Sequence, residues 1–465
     1  VMGRHSLKLG SDWRVYRANW VNNGTAAGQF AFNVGFTRGP NAQSGGGGNS
    51  IASFLLGNPA SCNIDIIEPN ASPQLYHGLY LQDDFRVSSK LTLNIGLRWE
   101  VETPRWERYD RLSFFNPTIA SPLAGPTGIP GLQGGVEFVG TGGNPRKQQN
   151  IDWNNLGPRF GFAYSLTPKM VMRGGYGITY LPITSRYVNQ SNQGFASSTA
   201  FFSSVDGVTP VGSLSNPFPN GVLQPPGAAE GLRTGIGQGF GTLLRDDPVG
   251  YSQQWSYNIQ YQLAPSLLAD IAYAGSKGTQ LPVVVPLNNL HPSNFSQGSA
   301  LLTQVPNPFR PFVSAGALSG ANTTRLQLLR PYPQYLNLTN NLTSQGSSIY
   351  HSLQAKVNKR LSNGFSILGA YTVGKLLTDT VPFLTGFLDP TPGMQNVYDR
   401  SQERALSTQD IAQRLVISAV WETPFGRGQR FLSDAPRALD IILGGWQLNG
   451  IATFQSGQPL VITTN

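Results

Sequence analysis

The sequence predicts an all-β chain, part of an antiparallel transmembrane β-barrel with long loops at one end. Three observations lead there. Apolar and polar residues alternate with period two over about ten residues on each side of several tight turns, which is the signal of a β-hairpin. Tight turns then alternate along the chain with long stretches rich in Gly, Pro, Asn and Ser, as barrels do that have short turns at one end and long loops at the other. Aromatic residues gather at strand ends, where an amphipathic ring suits a membrane–water boundary.

Composition agrees with strands and turns. The 465 residues include 54 Gly and 34 Pro, and 11% are aromatic, a balance that favours sheet over long helices. No run of about 18 apolar residues occurs, so no helix can cross a membrane. The formal charge is +9, yet only 12% of residues are charged. The excess therefore reflects few acids rather than a clustered basic footprint, and nucleic-acid binding is set aside. One cysteine, Cys62, excludes an internal disulfide and any CxxC metal or redox pair.

The elements follow in order. Residues 5–17 ("HSLKLGSDWRVYR") and 29–38 read as strands. In "YHGLYLQDDFRVSSKLTLNIGLRWE" (76–100), Leu91, Leu93, Ile95, Leu97 and Trp99 share one parity, against Thr92, Asn94, Gly96, Arg98 and Glu100. From Gly157, Phe160, Phe162 and Tyr164 precede a turn at Thr167-Pro168-Lys169, with Met170, Met172 and Tyr176 beyond it. Trp255, Tyr257, Ile259 and Tyr261 lead to a turn near Pro265, and residues from Tyr350 turn at Ser362-Asn363-Gly364. Residues 411–421 and 446–456 complete a set of about twelve strands. The stretches 102–156, 181–250 and 276–348 read as long loops, too long for a compact soluble domain.

Alternation alone does not choose between a sandwich, whose oily face meets a second sheet, and a barrel, whose oily face meets lipid. Three further observations favour the barrel, and strand length is the first: about ten tilted residues span a hydrocarbon core. Trp99, Trp106, Tyr109, Tyr76, Tyr80, Tyr251, Trp255, Trp421 and Trp446 fall at strand ends. Charges fall on the opposite parity: Arg86, Arg98, Glu100, Arg159, Arg173, Lys356 and Arg360. That face is expected to line a wet lumen, because a lipid-facing Arg at midplane costs about 2–4 kcal/mol. Asp83 and Lys359 break the rule near tight turns, where the cost falls toward zero. A bulge at "QDD" would rotate Asp83 inward.

Catalytic chemistry finds no footing. His5, His77, His291 and His351 show no HExxH spacing, and no GxSxG elbow or Walker lysine occurs. "GIGQGFG" (235–241) puts Phe240 at the third glycine of a dinucleotide fingerprint and lacks a βαβ setting. No enzyme, metal or cofactor is expected. "GGGG" (45–48) reads as flexible loop, and "NSIASFLLGNP" (49–59) as a short loop helix. The charged stretch 398–410 holds Asp399, Arg400, Glu403, Arg404 and Asp410. These could line a substrate path or grip a plug; an internal ion-pair network bracing the wall is the preferred reading.

With these residues assembled, the chain resembles the barrel of a TonB-dependent outer-membrane receptor of the Oar-like branch. The resemblance rests on "LYLQDDFRVSSKLTLNIGLRWE" (79–100), "NNLGPRFGFAYSLTPKMVMRGGYGITY" (154–180), "QQWSYNIQYQL" with "AYAGSKGTQL" (253–281), "YHSLQAKVNKRLSNGFSILGAYTVGK" (350–375), "RSQERALSTQDIAQRLVIS" (400–418) and "GGWQLNGIATFQSGQPL" (444–460), in the family's order. It implies a location in the outer membrane and a parent barrel of about 22 strands. Residues 1–465 would be part of that single barrel domain; a plug and a carboxypeptidase-regulatory-like domain would lie outside this chain, as would the terminal aromatic strand. It implies active uptake of a bulky substrate, with membrane lipid and an inner-membrane TonB complex, acting through the plug, as partners. The alternatives are a structural or adhesive outer-membrane barrel that binds partners through its loops, and a secreted β-sandwich binding protein.

Overall fold

The computed structural model describes residues 3–38, 47–182, 191–201, 203–204, 209–314, 316–380 and 394–460. Eleven strands run in one antiparallel path. They are β1 (His5–Trp20), β2 (Asn70–Arg86), β3 (Leu91–Glu102), β4 (Leu156–Thr167), β5 (Met170–Tyr180) and β6 (Tyr251–Ala264). β7 (Leu267–Pro286), β8 (Leu338–Ser362), β9 (Phe365–Thr378), β10 (Gln413–Glu422) and β11 (Gln447–Gln455) follow. Each pairs with its neighbours in sequence order, and β1 and β11 form the two edges of an open sheet.

Register confirms the two faces. Direct cross-strand partners share a face, and Leu9↔Leu81↔Leu97↔Pro158 and Leu7↔Asp83↔Ile95↔Phe160↔Tyr176↔Trp255 run along one of them. That face continues through Ile259↔Ile271↔Ala355↔Tyr371↔Leu415↔Phe454. Its side chains stand uncovered by protein: Leu9 is 82% exposed, Ile271 60% and Phe454 62%. A sandwich would bury them. Left in water, each such side chain forfeits about 1.5–3 kcal/mol, so a continuous band of them requires lipid.

The tight turns fall where the alternation predicts. β8 and β9 close at Asn363 and Gly364, with φ of 54° and 72°, the doubly left-handed turn that suits strand twist. Lys359 serves this turn: its Nζ donates to the Ser362 and Phe365 carbonyls at 2.9 and 2.6 Å. Asp83 stays on the apolar face, since the β1–β2 and β2–β3 registers run without a shift; there is no bulge at "QDD". Its carboxylate instead meets His5 Nδ1 at 2.6 Å.

Three expectations change. Residues 29–38 hold no wall strand: Gln29–Ala31 joins Ser61–Ile67 and Ala196–Ala200 in a separate sheet among the loops. Among the described residues the wall path has eleven strands, in line with the expected about twelve, and two short strands, Phe240–Thr242 and Ala405–Leu406, join the same sheet off this path. β7 and β8 outrun the bilayer, at 20 and 25 residues; Val283, Val285, Asn340 and Thr343 near their loop ends are buried, while Ile271 and Leu353 below are exposed. The connection 423–446 lies at the tight-turn end yet is long, and holds a helix, Arg437–Leu443. The expected loop helix is present at Ser50–Leu55, capped by the Asn49 side chain. Of the glycine run before it, Gly45 and Gly46 lie outside the described residues.

The long loops carry the dry core. Phe115, Val136, Phe138, Tyr335 and Leu338 form one buried cluster, with Phe195, Ile236 and Phe240 against it. These residues come from three different connections. The hairpin Ser113–Ala120/Gln133–Phe138 follows β3, Phe240–Thr242 precedes β6 and pairs in parallel with the start of β8, and Tyr335 precedes β8. Asn288 fastens the third connection on itself, donating to the carbonyls of Tyr332, Tyr335 and Leu336 at 2.9, 3.0 and 2.7 Å. Burial pushes the Tyr335 phenol well above its usual range.

Candidate functional site

The polar face of the wall brings most of the sequence-derived candidates to one surface. Alternation puts Arg98, Glu100, Arg159, Arg173 and Lys356 there, and pairing holds them: Arg98↔Tyr80 and Gly157, Arg159↔Gly96, Arg173↔Asn258, Lys356↔Asp270. Arg86 and Arg360 belong to the same parity but sit at the tight-turn ends of β2 and β8, away from the loops.

Near the loop end, the first three strands build a closed polar cluster. The Tyr76 hydroxyl donates to Glu100 Oε2 at 2.7 Å, and Arg98 donates to the same carboxylate from Nε at 2.9 Å and to Tyr76 from Nη2 at 2.5 Å. Arg14 grips Asp12 through both carboxylate oxygens, at 3.0 and 2.5 Å, and its guanidinium lies 5.1 Å from the Tyr76 ring centroid. Asp12 also faces Arg98 at 3.8 Å. Two cations meet two anions, so the cluster is neutral and preorganised. Glycine makes the space: a Cβ on Gly78 would stand 2.9 Å from Arg98 Nη2, and one on Gly10 2.5 Å from the Tyr80 hydroxyl.

Beyond this cluster the cations change character. Among the described residues, Arg159, Arg173 and Lys356 form no ion pair or side-chain hydrogen bond, and all three are exposed. Asp270, opposite Lys356, accepts instead from Asn258 Nδ2 at 2.9 Å. The face thus offers unneutralised positive charge at mid-wall and a neutral cluster nearer the loops. A polar or anionic solute entering it would meet cations whose charge is not already spent.

The 398–410 stretch is placed differently. Asp399 caps its own turn, accepting from Ser401 Oγ at 2.6 Å, Gln402 Nε2 at 2.9 Å and Ser401 N at 3.1 Å, hydrogen bonds that hold its carboxyl below the usual range. Glu403 accepts from the backbone of Gln395 and Asn396, and Asp410 from Leu376 N at 2.6 Å. Among the described residues one ion pair is formed here, Arg400 with Asp379 at 3.3 Å. Arg404 forms no ion pair or side-chain hydrogen bond among the described residues. Of the acids in this segment, Asp410 fastens backbone at the loop end of β9, while Asp399 and Glu403 fasten the segment's own backbone.

Sequence reasoning allowed weaker strands inside the loops but missed the core they build, whose Phe114, Phe115, Phe309 and Tyr335 are at most 1% exposed. Their signal was weak but present: "SFFNPTIA" and "GGVEFV" are short strand-like runs inside stretches otherwise read as loop. It also missed Gln74, fully buried on the polar face with neither amide atom hydrogen-bonded. Among the described residues, no group of three or more His, Cys, Asp or Glu is arranged to hold a metal.

Solved structures resemble the chain only distantly. A Pseudomonas aeruginosa FpvA–pyoverdine–iron complex aligns at a TM-score of 0.38 and 11% identity, over 98% of this chain and 36% of that one. The P. aeruginosa ferric enterobactin receptor PfeA aligns at 0.37 and 10%, over 97% and 43%. The alcaligin outer-membrane receptor FauA of Bordetella pertussis aligns at 0.34 and 11%, over 85% and 42%. The chain therefore spans less than half the length of these proteins. No curated protein matches the sequence. An eleven-stranded antiparallel wall with a bare apolar face, a charged opposite face and long folded loops is outer-membrane architecture, and with the family model matching residues 1–465, the chain belongs to the outer membrane beta barrel domain family.

Proposed function

We propose that this chain is wall and loop cap of an outer-membrane receptor that takes up a bulky, polar or anionic substrate. The observation that carries the reading is the pairing of a hydrophobically cored loop cap with unpaired cations on the polar face beneath it. A passive pore has no need of loops with a shared core, whereas a receptor must present a fixed binding surface above its passage. An open sheet of eleven strands leaves edge groups that lipid cannot satisfy, so the working barrel needs more strands than these, consistent with a parent of about 22. Uptake would be active, driven through a plug by an inner-membrane TonB complex, and the ordered motifs resemble the Oar-like branch of such receptors. Asp399, Arg400, Glu403, Arg404 and Asp410 are then a support for the passage wall, and Arg86 and Arg360 mark its inner mouth.

The test is uptake in cells carrying Arg173→Ala or Arg159→Ala in the full-length protein. Transport of the cognate substrate is expected to fall about tenfold or more, with membrane insertion unchanged, since each residue lacks a structural partner. Normal uptake in both variants would reject the cationic path. A full-length chain with no plug domain would instead favour an adhesive barrel that binds partners through its cap.

A further inference from the structure

A cavity of about 390 Å³ opens at the loop end of β1 and β2, where Trp106, Arg108 and Arg146 overhang them. Register places it on the outer side of the wall. Trp13, Val15, Arg17 and Asn19 share the apolar parity of β1, and Arg17 and Asn19 pair with Pro73 and Ala71, which line the cavity with them. Leu9, Trp13 and Val15 on that parity are exposed members of the apolar band. Arg17 is the next residue outward after Val15. It therefore stands where the band ends, at the level of lipid headgroups on the long-loop side.

The chemistry of the cavity is cationic. Arg17, Arg108 and Arg146 line it with Trp106 and Asn19, and no Asp or Glu is among the lining residues. The acids nearby are already engaged. Glu107 is buried and accepts from the backbone of Ala71, Tyr109 and Arg111. Glu68 pairs with Arg111 at 3.0 Å, and Asp110 with Arg146 at 2.6 Å. Arg146 is braced further, donating to the carbonyls of Glu107 and Arg108 at 3.1 and 3.0 Å. Arg17 and Arg108 form no ion pair or side-chain hydrogen bond among the described residues. The backbone beneath them is nonetheless held, since Arg108 N donates to the Ala71 carbonyl at 3.0 Å and Trp106 bridges to Lys147. Two uncommitted guanidinium groups thus sit on a fixed rim at the edge of the apolar band.

We propose that this cavity binds a phosphate group carried by a lipid of the long-loop leaflet. A guanidinium fork matches two phosphate oxygens at once, and the cavity is large enough for such a group. Position selects a lipid over a free anion. Acyl chains below the phosphate would run down over Val15 and Trp13, adding apolar contact that a soluble phosphate lacks, whereas exposed arginines alone hold a free anion weakly and lose it to salt. An ammonium would meet only like charge here. The headgroup would fasten the β1–β2 loop end to the bilayer surface, on the side of the wall away from the cations of the polar face.

The experiment uses the purified full-length protein in detergent, offered diphosphoryl lipid A or the same lipid with both phosphates removed, bound lipid being read by native mass spectrometry. Retention of the phosphorylated lipid is expected to be greater by about tenfold or more, and to fall about tenfold in Arg17→Gln and in Arg108→Gln. Lys90→Gln, which removes a charge at the tight-turn end, should leave retention unchanged. Heat-modifiable gel mobility checks that the variants stay folded, and either arginine tests the site without the other. Equal retention of the two lipids, a preference unchanged in the folded variants, or an equal loss in Lys90→Gln overturns the proposal. So does displacement of the lipid by inorganic phosphate at equal concentration, which assigns the site to a soluble anion.

Discussion

Asp83 and His5 show how a single pair lets a charge sit on the wrong face: at the tight-turn end, the 2.6 Å contact replaces water that lipid cannot supply. The Tyr76–Arg98–Glu100 cluster works in the same way on the polar side. Tyr76→Phe removes one hydroxyl that serves two charged groups, and is expected to cost about 1.5–3 kcal/mol in unfolding from detergent; an unchanged midpoint would show the cluster to be ornamental. Among the loops, hydrogen bonds from Ser198 and Thr25 hold the Asp65 carboxyl far below the ordinary range. A depressed folded pKa stabilises above the unfolded value of about 3.9 and is lost as pH falls through the folded one. The segments around Thr25 and Asp65 should therefore resist protease from neutral pH down to about pH 4 and loosen only under stronger acid. Asp65→Ala should be cleaved there already at pH 7, and equal resistance of the two proteins would remove Asp65 from that role.

Along the strands, what matters is parity. Leu97 and Gly96 are adjacent in sequence but lie on opposite faces, partnered by Leu81 and by Gln82. Leu97→Arg should reduce stability in lipid by about 2–4 kcal/mol, while Gly96→Arg should cost much less. The comparison is made by denaturant titration of protein refolded into vesicles, and equal penalties would mean that both faces see the same solvent. The turns are set just as locally. Asn363-Gly364 takes two left-handed residues, which these two types adopt with little strain, so β8 and β9 find their register without help from the rest of the chain.

At the scale of the whole molecule, the protein has two regimes. The wall is one sheet thick and its apolar face is uncovered by protein, with Leu9, Ile271 and Phe454 exposed, so lipid is its second layer. The cap is an ordinary folded unit, with Phe115 and Tyr335 packed edge to face at 6.0 Å. Phe115→Ala should cost the cap about 3–5 kcal/mol. Because the wall draws on a different solvent, limited proteolysis should then cut the 103–155 and 181–250 connections while heat-modifiable mobility of the barrel persists. Loss of both together would show that cap and wall fold as one.

Most of the wall could be read from the order of residues alone, because both of its determinants are local. Period-two alternation assigns each side chain to lipid or lumen, and turn residues such as Asn363-Gly364 set which strand comes next. The membrane location follows from the same pattern, and so do the cations of the polar face. The cap could not be read this way. Phe115, Phe240 and Tyr335 lie more than a hundred residues apart at the extremes, each inside a stretch that looks like loop, and only their meeting makes a core. The true lengths of β7 and β8, the fate of residues 29–38, and the neutralisation of Arg98 while Arg173 stays free were likewise decided in three dimensions. Long-range contacts carry no period along the chain, so they are settled only when the wall has brought its loops to one end.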